Sequence, residues 1–222
     1  MNIDKTIDEI ITDFRFKRLK TVIENNSYHN NEAVFDHVLK VFKKAKESIL
    51  GSFIKDTIAR KKFINFTNET IYGIKRKDAM LIAAILHDIA KGTKYKDGVK
   101  EQEIKKIDKN GFVLFPNHEY IGSILASQIL KDKGLSKDIT DYICKIIKLH
   151  GVFSEFYFDD VKNWSEEEII NDIKNKSEGI YIETLFNVYC DCFDAVPFQK
   201  SKQAIEKVFN NLDLYSERIY HF

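Results

Sequence analysis

The sequence predicts an all-α fold, and three observations lead to that class. The 222-residue chain has only two prolines and nine glycines, so few positions would interrupt long helices. Hydrophobic residues make up 44% of the chain, which is enough to build a core. The apolar residues recur at helical rather than strand spacing over most of the length. We therefore expect a single helical domain over residues 1–222.

The first half of the chain contains several helical patterns. Amphipathic spacing predicts one helix over residues 4–24 and another over about 32–50. Residues 51–75 alternate Phe and Ile with Lys and Arg, and we expect one helix and a connecting loop there. The segment DAMLIAAILHDIAKG, residues 78–92, is rich in Ala and Leu and apolar on nearly every side. It predicts a central buried helix that ends at its glycine.

The pattern changes after this central helix. Turn signals at Lys96-Asp97-Gly98 and Lys109-Asn110-Gly111 are flanked by alternating segments, which predict a small β-hairpin near residues 99–115. Helical spacing resumes after Pro116. The helices expected there cover about residues 118–134, 136–150, 165–176, 181–195 and 201–220.

Composition limits the classes of partner and compartment. The net charge is +1, and the mildly basic N-terminal half is a weak signal for a dedicated nucleic-acid surface. Cys144, Cys190 and Cys192 are an odd number without a CxxC spacing, which is typical of free thiols in a reducing compartment. Early charges in MNIDKTIDEI argue against a signal peptide, and the longest apolar run, residues 79–86, is too short to cross a bilayer. We therefore expect a cytoplasmic protein without membrane contact.

Several polar residues lie on otherwise apolar helical surfaces. A lone histidine on such a face is most often a hydrogen-bonded core residue, and a buried carboxylate beside an imidazole is costly unless a cation compensates it. Neutral imidazole and carboxylate are both good ligands for a divalent metal. So many residues of this kind are hard to satisfy without a cation, and together they predict a metal site. They are His37, the His87-Asp88 doublet, His118, His150 and Asp191.

The order of these elements and the sequence around each of them resemble the HD-domain metal-dependent phosphohydrolases, in particular the HD domain of bacterial CCA-adding enzymes (tRNA nucleotidyltransferases). The resemblance covers roughly residues 28–195. It implies an all-α HD-domain helical bundle with the hairpin as an insertion and with the 4–24 and 201–220 helices packed on the core. The matching segments are DHVL at 36–39, LHDIAKG at 86–92, NHEYIG at 117–122, IIKLH ending at His150, and the closing CDCFDA at 190–195.

The resemblance also implies the ligands of one or two divalent ions. In family members with two metals the Asp of the doublet bridges them, and histidines matching His118 and His150 hold the second. In members with one metal, such histidines contact the substrate phosphate instead. Nitrogen and carboxylate ligands without thiolate suit Mn, Fe, Co, Ni, Mg or Zn. The first metal would be held by His37, His87, Asp88 and Asp191.

Three assignments leave alternatives open. The last ligand is either Asp191 or Asp194, and we favour Asp191 because it follows the apolar stretch LFNVYC. Lys91, at the end of the central helix, would face the substrate phosphate as a positive clamp. It is equally well interpreted as a solvated lysine favoured by the helix dipole. Glu119 either orients His118 or serves its helix N-terminus.

The implied activity is hydrolysis of a phosphate ester by a metal-activated water. Asp88, Lys91 and His118 would be catalytic, and Lys91, His118 and His150 would contact the substrate. The chain lacks the acidic pair of alarmone hydrolases, the His-His and Gly-Tyr-Pro signatures of cyclic-dinucleotide phosphodiesterases, and a nucleotidyltransferase head. We therefore expect a free-standing hydrolase acting on a nucleotide or an RNA end, not on DNA, as a phosphomonoesterase or a 2′,3′-cyclic phosphodiesterase.

An alternative function belongs to another class. The helical core and its basic N-terminal half could form a non-catalytic module that binds RNA or a protein partner, with a metal that is structural or absent. Under that hypothesis, metal removal leaves RNA binding intact, and a His87 substitution changes stability more than turnover.

Overall fold

The computed structural model describes residues 2–25, 31–92, 94–97, 100–153, 155–193 and 199–215. Helices dominate these residues, and the strands form only two-stranded sheets, so the all-α prediction is confirmed. The α-helices are α1 (Ile3–Thr12), α2 (Phe14–Lys17), α3 (Val34–Ser48), α4 (Thr57–Asn68), α5 (Arg76–Leu86), α6 (His118–Asp132), α7 (Lys137–Leu149), α8 (Glu155–Asp160), α9 (Glu166–Lys176), α10 (Tyr181–Asp191) and α11 (Gln199–Asn210).

Short strands pair as antiparallel ribbons between the helices. The pairs are β1 (Ile23–Glu24) with β2 (Glu32–Ala33), β3 (Thr70–Ile71) with β4 (Ile74–Lys75), β5 (Lys94–Asp97) with β6 (Lys100–Glu103), and β7 (Lys106–Ile107) with β8 (Val113–Leu114). The hairpin expected near residues 99–115 is thus present as β7–β8 around the Asn110-Gly111 turn. Residues 100–103 belong instead to a preceding ribbon, because β6 takes β5 as its partner.

The N-terminal region departs from the expected single helix over residues 4–24. The helix is interrupted at Asp13, whose backbone is extended and whose carboxylate accepts a hydrogen bond from Arg15 N at 2.9 Å. This capping interaction starts a new helix, because it satisfies an amide that would otherwise lack a partner. A 3₁₀ turn, Arg18–Thr21, and strand β1 follow. At the other end, α11 stops at Asn210, and residues 216–220 of the expected last helix lie outside the described part.

The centre of the bundle is formed by α3, α5, α7 and α10. Helix α5 contacts the other three, and α6 packs along α7. The buried apolar side chains of α5, including Ile82, Ala83 and Ile85, join one core with those of α7, such as Ile143 and Ile146. The central segment is shorter than expected, since α5 ends at Leu86 and a 3₁₀ turn follows at Ile89–Gly92. The His87-Asp88 doublet therefore lies at the break between the two. No helix in the described ranges is long and apolar enough to span a membrane.

A buried polar triad connects three of these helices. Arg76 at the start of α5 donates hydrogen bonds to Glu183 of α10 and to Tyr142 of α7, and Tyr142 also donates to Glu183. All three residues are buried. The carboxylate is therefore neutralised within the protein, as a buried charge requires. The opposite ends of the same helices carry the predicted metal ligands.

Candidate metal centre

Six predicted residues converge at one end of the helical bundle, each at or near a helix terminus. His37 lies in the first turn of α3, and His118 is the first residue of α6. The doublet follows α5, His150 follows α7, and Asp191 is the last residue of α10. The bundle brings these termini together because α5, α7 and α10 end where α3 and α6 begin.

The first ligand set consists of His37, His87 and Asp191. Their ligand atoms lie within 4.8 Å of one another. Asp191 Oδ1 is 2.9 Å from His37 Nε2 and 3.4 Å from His87 Nε2. Two imidazole nitrogens and a carboxylate oxygen at this spacing can hold one divalent cation.

The second ligand set consists of Asp88, His118 and His150. Their ligand atoms also lie within 4.8 Å of one another. Asp88 Oδ1 is 3.3 Å from His118 Nε2 and 4.0 Å from His150 Nε2. The rings of His118 and His150 meet edge to face, with centroids 5.2 Å apart. A second cation could therefore be held next to the first.

The Asp88 carboxylate lies between the two sets. Its Oδ2 atom is 3.3 Å from His87 Nε2 and 3.7 Å from His37 Nε2, whereas its Oδ1 atom faces His118 and His150. Asp88 Oδ1 and His87 Nε2 are buried and have no hydrogen-bond partner among the described residues. Buried polar atoms without partners are costly, and a metal ion would satisfy both. The donors present thus fit divalent metals.

Backbone carbonyls fix the orientation of three of the histidine rings. His87 Nδ1 donates to Ala84 O at 2.9 Å, and His118 Nδ1 and His150 Nδ1 donate to the carbonyls of Phe115 (2.7 Å) and Ile147 (2.6 Å). In each case the acceptor lies three residues earlier. A neutral imidazole that donates from Nδ1 keeps the lone pair on Nε2. The three Nε2 atoms are therefore oriented as metal ligands.

The charges of the site favour a bound cation. Burial opposes protonation of His87, but Asp88 and Asp191 outweigh burial and raise the pKa of His87 to about 10. Burial, together with His118 and His87, lowers the pKa of His150 to about 4. Although burial opposes ionisation of Asp88, Lys91 and His87 hold its pKa well below the usual range. The carboxylates that attract a proton to His87 also attract a divalent ion, which displaces that proton on ligation.

Lys91 and Glu24 extend the site on one side. Lys91 Nζ lies 2.9 Å from Asp88 Oδ2 and 2.9 Å from Glu24 Oε1, and its side chain is only 9% exposed. The interpretation of Lys91 as a solvated lysine is therefore wrong. Burial opposes its charge, but Asp88 and Glu24 raise the pKa of Lys91, so the ammonium persists. Sequence reasoning missed Glu24, whose only signal is a lone acidic residue in a predicted amphipathic segment.

The remaining candidates are placed less centrally. Glu119 Oε2 is 3.5 Å from His118 Nδ1, but that nitrogen donates to the backbone, so Glu119 is not its acceptor. The Glu119 side chain packs against Gly151 instead, where an added Cβ would lie 2.4 Å from Oε1. Asp194, the alternative last ligand, lies outside the described residues, whereas Asp191 lies in the first set. Cys144, Cys190 and Cys192 are free thiols.

Comparison with known families agrees with this geometry. The family model of the HD domain matches residues 34–173, more than half of the chain. The chain belongs to the HD-domain family. The matched range contains both histidines of the second set and the doublet, whereas Asp191 and Glu24 lie outside it. HD domains are generally metal-dependent hydrolases that bind divalent metals. No curated protein matched the chain, and the closer resemblance to CCA-adding enzymes is not supported.

Proposed function

We propose that this HD domain is a phosphohydrolase whose centre holds two divalent ions joined by Asp88. The observation that carries the proposal is the division of the Asp88 carboxylate, with Oδ2 near His37 and His87 and Oδ1 near His118 and His150. With a single ion, the imidazoles near Oδ1 would contact the substrate phosphate instead, so the number of ions bound distinguishes the two arrangements. Two ions held by these two ligand sets would supply positive charge on both sides of a phosphoryl group, which suits displacement at phosphorus.

Exposure suggests where the substrate approaches. The side chains of His118 and Asp191 are 19% and 31% exposed, whereas His87, Asp88 and His150 are almost completely buried. Among these residues, access from solvent is greatest at His118 and Asp191, and we propose that the substrate approaches from that side. A phosphate group that enters there would meet one ligand of each set.

Each residue has a defined task in the proposed reaction. His37, His87 and Asp191 would hold the first ion, His118 and His150 the second, and Asp88 both. When bound, the ions would lower the pKa of water and stabilise negative charge on phosphoryl oxygens. The fixed Nε2 atoms and the buried Asp88 keep the centre preorganised, so little rearrangement accompanies the reaction.

The substrate class is inferred from the sequence. We propose a phosphate ester of a nucleotide or an RNA end, cleaved as a monoester or as a 2′,3′-cyclic diester. Asp88, Lys91 and His118 are the proposed catalytic residues. Lys91 is a proposed substrate contact, and His118 and His150 would contact the substrate phosphate if the centre holds one ion. A reducing, cytoplasmic location also stays a prediction. Support for an enzyme comes from the partly exposed ligands, since a structural metal site is usually closed.

Metal titration paired with a substrate panel tests the proposal. Protein freed of metal would be titrated with Mn²⁺ by calorimetry, and the metal-loaded protein would be assayed on aryl phosphate, bis-aryl phosphate, nucleoside monophosphates and 2′,3′-cyclic nucleotides. We expect two ions per chain, and loss of one when both His118 and His150 are changed to Ala. One ion per chain would remove the bridging role of Asp88. If RNA binding survives metal removal and no substrate turns over, the protein is a binding module instead.

A further inference from the structure

A continuous line of buried charges runs from the N-terminal ribbon into the metal centre. Glu24 of β1 accepts from Lys91 Nζ at 2.9 Å, and the same ammonium lies 2.9 Å from Asp88 Oδ2. The side chains of Glu24, Lys91 and Asp88 are 3%, 9% and 2% exposed, so solvent screens these interactions little. Glu24 lies outside residues 34–173, the range matched by the HD-domain family.

The ribbon holds Glu24 firmly against the centre. Glu24 pairs with Glu32 across the ribbon, and Ala33 leads directly into α3, the helix that carries His37. On the other side, Val113 N donates to Asn25 O at 3.1 Å and ties the ribbon to β8. The position of the carboxylate is therefore set by backbone hydrogen bonds on both sides.

The charges explain why a second carboxylate is useful there. Lys91 contacts the oxygen of Asp88 that also faces His37 and His87, so its ammonium competes with a metal ion for the same carboxylate. A lysine with Asp88 as its one anionic partner would leave that ligand close to neutral. Glu24 compensates part of the positive charge of Lys91. The three side chains of Glu24, Lys91 and Asp88 together then keep one net negative charge.

We infer that Glu24 is a positioning residue that acts through Lys91 to preserve the ability of Asp88 to bind metal. The inference rests on the proposed function, because it assumes that Asp88 is a metal ligand. Under this inference, Lys91 modulates the charge of the Asp88 carboxylate. Whether Lys91 also touches the substrate phosphate is a separate prediction.

A charge series tests the inference through metal affinity. Glu24→Gln keeps the size of the side chain and an oxygen for Lys91, but it removes the negative charge. We expect about tenfold weaker Mn²⁺ binding, as is typical when a partner of a metal ligand is altered. Lys91→Met leaves two carboxylates and should bind Mn²⁺ more tightly than the natural protein. In the double variant Lys91 is absent, so the loss of Glu24 should change Mn²⁺ affinity by less than about threefold relative to Lys91→Met.

A merely structural ion pair would not change Mn²⁺ affinity in opposite directions in Glu24→Gln and Lys91→Met. If Glu24→Gln binds Mn²⁺ like the natural protein, or if Lys91→Met weakens binding as Glu24→Gln does, the inference is wrong. Should Glu24→Gln fail to fold, Lys91→Met and the double variant carry the test. Lys91→Met should still bind Mn²⁺ more tightly than the natural protein, and a marked loss of affinity in the double variant relative to Lys91→Met would show that Glu24 does not act through Lys91. At saturating Mn²⁺, Glu24→Gln should regain kcat with an unchanged KM.

A matched control comes from the same ribbon. Glu32 lies opposite Glu24 and pairs with Lys40 at 2.6 Å rather than with Lys91. Glu32→Gln should leave Mn²⁺ affinity unchanged, and a change equal to that of Glu24→Gln would show that the ribbon, not the charge, matters. Failure of the natural protein to bind Mn²⁺ would instead overturn the proposed function.

Discussion

The two ends of the α5, α7 and α10 bundle both bury carboxylates, but they neutralise them differently. At one end, Glu183 accepts hydrogen bonds from Arg76 and Tyr142. At the other end, Asp88 and Asp191 face mainly imidazoles, and Asp88 Oδ1 has no hydrogen-bond partner in the described part of the chain. The first end is satisfied by the protein alone. The second end includes the Lys91 ammonium, yet Asp88 Oδ1 and His87 Nε2 still lack hydrogen-bond partners among the described residues, and a divalent cation would satisfy both.

Helix α10 carries a member of each cluster. Glu183 and Asp191 are eight residues apart, which corresponds to about 12 Å along the helix and roughly the same face. The same helix thus contributes a closed ion pair and a partly exposed metal ligand. If the comparison is correct, changes at the two ends should separate stability from function.

The end of the bundle that carries the metal ligands is called the open end, and the end that carries Arg76, Tyr142 and Glu183 is called the closed end. The largest expected effect is on activity at the open end. Asp88→Asn removes the charge shared by the two ligand sets but keeps the shape of the side chain, so we expect hydrolysis to fall at least about a thousandfold. Thermal unfolding without metal should change less than activity does, because Lys91 loses Asp88 as a charged partner but keeps Glu24. Activity is measured as turnover of aryl phosphates, and thermal unfolding is followed by circular dichroism. Activity near that of the natural protein would remove Asp88 from the centre.

The next effect is on stability at the closed end. Arg76→Leu leaves the buried Glu183 without its cation, and breaking such a pair costs about 3–5 kcal/mol of the free energy of unfolding. Denaturant titration measures this loss, and Mn²⁺ stoichiometry in the folded fraction should stay the same. The matched control replaces the whole triad with Arg76→Leu, Tyr142→Phe and Glu183→Leu. It should recover most of the loss, since apolar residues of similar volume replace buried ion pairs well.

Metal removal should give an intermediate effect confined to the open end. An ion present at a hundred times its Kd stabilises the folded state by about 2.7 kcal/mol, which raises Tm by about 5–10 °C for a chain of this size. Chelation should therefore lower Tm by at least that amount, and by about twice that amount if both proposed ions are bound at this level, as measured by differential scanning calorimetry. The Asp88→Asn variant serves as the control, since its Tm should respond weakly. An equal shift in both proteins would place the stabilising ion elsewhere.

The closed and open ends also differ in how far the sequence predicts them. The histidines and aspartates of the open end are visible as polar residues on apolar helices and as an ordered series that resembles a family. The triad was not predicted, although Arg76 and Glu183 are equally buried, because ion-pair partners 107 residues apart leave no local pattern. Glu24 was missed for the same reason, since its partner Lys91 is 67 residues away.

Helix boundaries show the same limit. Periodicity predicted the helices that carry the ligands, because burial of an apolar face dominates their formation. It did not predict the interruption at Asp13, where one side-chain cap outweighs continuing amphipathic spacing. Nor did it predict that residues 100–103 pair with β5, because strand pairing is decided by contacts outside the strand itself.

The smallest expected effect concerns the packing beneath the centre. Gly122 of α6 lies against the doublet, and an added Cβ would be 3.3 Å from His87 O, which is a backbone atom and cannot swing away. Gly122→Ala should gain about 1 kcal/mol of helix propensity and lose a similar amount to this contact. The free energy of unfolding should thus change by less than about 1 kcal/mol. Mn²⁺ affinity should nevertheless fall several-fold, because the doublet must shift.

Ser123→Ala, at the next residue of α6, is the control for this packing effect. It removes an exposed hydroxyl that donates to Tyr120 O and adds nothing near His87. Calorimetric titration with Mn²⁺ should distinguish the two variants while denaturant titration does not. If Gly122→Ala binds Mn²⁺ as Ser123→Ala does, the open end tolerates small displacements of its ligands. Its function would then depend on charge more than on exact position, in contrast to the close-packed triad at the other end.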